Sequence, residues 1–123
     1  MRLILLGLLG LASVPALAAP IAHAECVLDP EGRRETPMKM SIDEVGAIAT
    51  VKLKGRTYRC EAYVDEKEGG VVEVEMKLLE VNRKDVKVLV AEGTFTLHPK
   101  KQPIGIARGS SQRMSGVVLA KLP

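Results

Sequence analysis

Eleven consecutive residues, Val71 to Val81 (VVEVEMKLLEV), alternate mostly apolar with mostly charged side chains, and that period of two commits the chain to β-structure. Successive side chains of a strand point to opposite faces. Val72, Val74, Met76 and Leu78 therefore share a buried face, with Glu73, Glu75 and Lys77 on the solvent side. The same alternation sets Ala47, Ala49, Val51 and Leu53 inward along Ala47–Lys54, and Tyr58, Cys60, Ala62 and Val64 inward along Thr57–Val64. The join Lys54-Gly55-Arg56 is short and carries a glycine that tolerates positive φ, which predicts a hairpin.

Lys67–Gly70 and Asn82–Asp85 predict the next two turns, making Val86–Leu97 the following strand, with a bulge at Gly93. Met38–Ile42, Ile104–Ala107 and Val117–Leu122 supply shorter strands, the last two flanking a polar connector, Arg108–Gly116. Asp29-Pro30-Glu31-Gly32 reads as a turn, and the capping-box spacing Ser41-x-x-Glu44 allows one helical turn at most before Gly46. Six to seven strands with short connections predict an all-β fold, either a small antiparallel sandwich or a closed barrel.

The first residues follow another logic. Arg2 precedes an apolar run, Leu3–Ala12, and Pro15 then leads into small residues, which is the pattern of a secretory signal peptide. A membrane span needs about 20 apolar residues, and Pro15 and Pro20 interrupt this one. Two A-x-A triplets offer cleavage sites, Ala16-Leu17-Ala18 and Ala22-His23-Ala24. The expected organisation is a signal peptide over residues 1–24, cut after Ala24 or after Ala18, followed by a single exported β domain over residues 25–123 with no membrane anchor.

Cys26 follows the charged Glu25 rather than the small residue that lipid attachment requires, so it is expected to pair with the other cysteine, Cys60. Closing that loop stabilises by about 3–4 kcal/mol in the chain-entropy account. The spacing Tyr58-x-Cys60 is similar to the tyrosine corner of immunoglobulin domains, although this chain has no tryptophan to complete such a core.

Motifs for chemistry are sparse. His98 lies beside Pro99 in an expected loop, and Ser110, Ser111 and Ser115 lack the G-x-S-x-G setting of an activated nucleophile. Glu73 and Glu75 form an i, i+2 pair that solvation of a strand face already explains. The chain is therefore expected not to be an enzyme and to need no cofactor. With no Trp, two Tyr and one Phe, it offers few rings for stacking on bases, so no nucleic-acid partner is expected.

Charge is more informative. Residues 98–123 hold Lys100, Lys101, Arg108, Arg113 and Lys121 without an acid, whereas all 15 acidic residues precede them. The function expected from sequence is that of a non-enzymatic exported domain, periplasmic or secreted. It would bind an acidic envelope polymer or protein through Lys100, Lys101, Arg108 and Arg113. The alternatives are a Cu(I) carrier using Met38, Met40, His98 and Met114 as soft and imidazole ligands, or a small envelope hydrolase built on His98.

Overall fold

The structure, a computed structural model, describes residues 19–29 and 35–123. The expected signal peptide up to Ala18, and most of the turn expected at Asp29–Gly32, fall outside the described residues. Eight strands follow one another: β1 (Ala22–Asp29), β2 (Thr36–Ile42), β3 (Ala47–Leu53), β4 (Arg56–Glu66), β5 (Val72–Val81), β6 (Lys87–Leu97), β7 (Ile104–Ser110) and β8 (Ser115–Lys121). They form two four-stranded antiparallel sheets in the orders β2-β1-β8-β7 and β3-β4-β5-β6. The fold is all-β as expected and, of the two architectures left open by sequence, it is the sandwich and not a closed barrel, with one strand more than the upper estimate.

Sequence neighbours are also spatial neighbours. β2 packs beside β3 at one seam, β6 beside β7 at the other, and β8 returns to pair with β1. Because the chain turns back at each step, its connections alternate between two ends of the sandwich. The terminal end carries Ala22, Lys121 and the β2–β3, β4–β5 and β6–β7 turns. The distal end carries the β3–β4, β5–β6 and β7–β8 turns.

The predicted inward faces pack as expected. Tyr58, Cys60, Ala62, Val72, Val74, Met76 and Leu78 are all buried, and Ala47, Ala49, Val51, Leu53 and Val64 pack partly buried against them. Each fully buried Val, Leu or Met side chain contributes about 1.5–3 kcal/mol relative to exposure. Opposite them lie Ala22, Ala24, Cys26 and Leu28 of β1, with Val118 and Ala120 of β8. Cys26 and Cys60 form a disulfide that joins β1 of the first sheet to β4 of the second, across 34 residues of sequence.

Several local expectations are corrected. No helical turn forms after Ser41: β2 runs to Ile42, and the Asp43 carboxylate accepts the Val45 N–H at 2.9 Å, closing a tight turn instead. The irregularity in the β5–β6 ladder falls between Leu78 and Leu79, not at Gly93, which stays in register opposite Met76. The extra residue is Val90, which turns inward and is 3% exposed. The connector Arg108–Gly116 shrinks because β7 continues to Ser110 and β8 starts at Ser115. Tyr58 makes no immunoglobulin-type corner, since its hydroxyl points to Glu80 on the neighbouring strand.

Candidate anion-binding groove

The β3–β4 hairpin turns on Lys54 and Gly55 with φ of 52° and 75°. Two consecutive positive φ values are those of a type I′ turn, which matches the twist of the flanking strands. Glycine enters this region freely, but for lysine it costs about 1–2 kcal/mol. The β5–β6 turn opposite is held by Asn82, whose side-chain oxygen accepts the N–H groups of Lys84 at 2.8 Å and Val86 at 3.0 Å. This fixes Arg83 at the tip.

Between the two turns, at the distal end of the second sheet, runs a polar groove. Its basic lining is Lys52, Lys54, Arg56, Arg59 and Arg83, against two acids, Glu80 and Asp85. Arg56 Nη1 contacts Glu80 Oε2 at 3.1 Å, and Arg59 Nη1 contacts Glu61 Oε2 at 3.3 Å. Lys52, Lys54 and Arg83 take part in none of the ion pairs formed among the described residues. Three cationic groups thus stand outside the ion pairs of the described residues, while the two arginines are tethered.

Glu80 lines the groove from the buried side of β5. It continues the inward parity of Val72–Leu78, and its side chain is 9% exposed, so it requires partners. Arg56 supplies one. Tyr58 donates a second, weaker hydrogen bond at 3.4 Å. Burial of Tyr58, followed by the charge of Glu80 and the hydrogen bond to it, raises the phenol pKa, with Arg56 and Arg113 opposing that rise. Arg113, in the β7–β8 turn, therefore belongs electrostatically to the same end.

The residues singled out from sequence are distributed differently. Lys100 and Lys101 sit in the β6–β7 turn at the terminal end, and Arg108 faces solvent from β7. Arg113 is at the distal end, so β7, seven residues or roughly 20 Å long, separates it from the two lysines. The four do not form one patch. Of the soft-metal set, Met38 is buried and Met40 half-buried on the inward face of β2, while Met114 and His98 are at opposite ends of β7. The His98 ring Nδ1 accepts the Lys100 N–H at 3.3 Å. Ser110, Ser111 and Ser115 lie at the end away from His98, and Glu73 and Glu75 stand on the outer side of β5.

The groove is hidden in the linear sequence because Lys52 and Arg59 alternate with apolar strand positions and Lys54 and Arg56 flank the turn glycine, where each resembles an ordinary surface residue. A usable signal was present. Positive φ at the hairpin would have made Lys54 conspicuous, and strand parity places Glu80 inward.

No family model matches the chain, and no curated protein or solved structure is significantly similar to it. Among the described residues no helix is long and apolar enough to cross a membrane. The disulfide fits an oxidising, extracytoplasmic compartment.

Proposed function

We propose that this protein is an exported, non-enzymatic binding domain, periplasmic or secreted, whose distal groove holds the anionic groups of an envelope polymer. The observation that carries this reading is the groove lining itself: five basic side chains against two acids, with Lys52, Lys54 and Arg83 outside the ion pairs. Its open, polar shape suits a polymer lying across it rather than a small molecule enclosed by it. Export is supported by the signal-type N-terminus and the disulfide.

Binding of inorganic polyphosphate, used as a defined anionic chain, tests the reading. Exchanging Lys52, Lys54 and Arg83 for Gln is expected to weaken binding roughly tenfold or more, at about 0.5–1 kcal/mol per contact. The fold should persist, since these side chains are at the surface. Exchanging Lys100, Lys101 and Arg108 for Gln is expected to have a smaller effect. Binding by the unmodified protein should weaken as salt shortens the Debye length to about 8 Å at physiological ionic strength. Equal affinity in all three proteins, with no dependence on salt, would contradict the groove as the site.

A further inference from the structure

We infer that the exported chain is cut between Ala18 and Ala19, and that Ala22-His23-Ala24 is a segment of strand rather than a cleavage signal. The inference rests on the export reading above and adds the processing site to it. Both A-x-A triplets satisfy a peptidase that wants small residues on either side of a free position. The second has another reason to exist.

Ala22 and Ala24 are 0% and 3% exposed, and they begin the inward row Ala22, Ala24, Cys26, Leu28 of β1. His23 between them faces outward, where its Nδ1 lies 3.5 Å from the Ser41 hydroxyl. The spacing small-x-small is therefore the period of two of a strand whose inward positions are buried. Ala24 sits between Met40 of β2 and Ala120 of β8 in the ladder.

β1 is an interior strand, hydrogen-bonded on both edges. Ala22, His23 and Ala24 pair with Ile42, Ser41 and Met40 on one side, and His23 and Ala24 with Lys121 and Ala120 on the other. The contact extends one residue further, because the Ile21 N–H donates to the Ile42 carbonyl at 2.9 Å and the Ile21 side chain packs on the core. A cut after Ala24 would remove all of this and leave the ends of β2 and β8 facing a gap in the middle of their sheet. A cut after Ala18 leaves it whole.

In chemical terms, water adds across the Ala18–Ala19 peptide bond, leaving a carboxylate on Ala18 and a free amine on Ala19. The full chain is to be expressed in a bacterial host with its own export machinery. The protein is then recovered from the extracytoplasmic fraction, and its mass and N-terminal residue are determined. The result expected is a chain of residues 19–123 carrying one disulfide, and Ala18→Tyr should leave most of the chain uncut. Mature protein beginning at Glu25, or processing unaffected by Ala18→Tyr, overturns the site while leaving export intact. An uncut chain of the unmodified protein confined to the cytoplasm overturns export and the site together.

Discussion

Lys54 occupies a backbone conformation that the fold would fill more readily with another residue. Its φ of 52° lies in the region that asparagine and glycine occupy most readily, yet the side chain placed there is a long cation lining the groove. Lys54→Asn should create the preferred Asn-Gly pair of a type I′ turn and raise unfolding stability by up to about 1 kcal/mol, while weakening polyphosphate binding. Denaturant unfolding and a binding titration on the same variant check both halves. A variant that loses stability and binding together would mean that Lys54 is there for the turn. Glu80 makes the complementary point about what was legible. The alternation along β5 was read as far as Leu78, and one further step of two reaches Glu80 on the buried face. What sequence did not supply was its partners, because Arg56 and Tyr58 lie 24 and 22 residues away and meet it only through the β4–β5 register.

Among the elements, those with unbroken alternation were readable and those with a second explanation were not. β3, β4 and β5 carry the expected inward faces, since one register buries most of their apolar positions and leaves only Ile48, Tyr63, Leu79 and Val81 on the other parity. β1 is hard to see in the sequence because its first residues also satisfy the A-x-A cleavage pattern. β7 was cut short because Arg108-Gly109-Ser110 looks like a loop in composition. The structure explains that composition: a Cβ on Gly109 would collide with the Val90 carbonyl oxygen and lie 2.9 Å from Ala91 Cα, so β7 approaches the β6 backbone too closely for any side chain. Val90, whose carbonyl makes that contact, is the extra residue at the ladder irregularity. Gly109→Ala is accordingly expected to cost about 1–3 kcal/mol in chemical unfolding, because the obstruction is backbone and has no rotamer to yield. Ser110→Ala, outward on the same strand, should stay within about 0.5 kcal/mol. Equal effects would show that the β6–β7 seam is looser than the contact implies.

At the scale of the whole molecule, the meander sorts charge in a way that linear order conceals. The terminal end gathers Asp43, Glu44, Asp65, Glu66 and Glu68 together with Lys67, Lys100, Lys101 and Lys121, so that Lys100 and Lys101 share it with five acids. The distal end gathers Lys54, Arg56, Arg83, Lys84 and Arg113, drawn from three hairpins, against Asp29, Glu80 and Asp85. A basic last quarter in the sequence thus becomes two groups about one strand length apart, while a basic end assembles from stretches that look electrically mixed. The disulfide between β1 and β4 holds the two sheets in this arrangement. The most direct measurement is a residue-resolved NMR titration of the mature, disulfide-bonded protein with inorganic polyphosphate. The amide shifts should concentrate at Lys52–Arg56, Arg83–Lys84 and Arg113, and fade as salt is raised. Shifts confined to Lys100 and Lys101, or no shifts at a polyphosphate concentration that saturates other basic domains, would contradict an anion-binding distal groove.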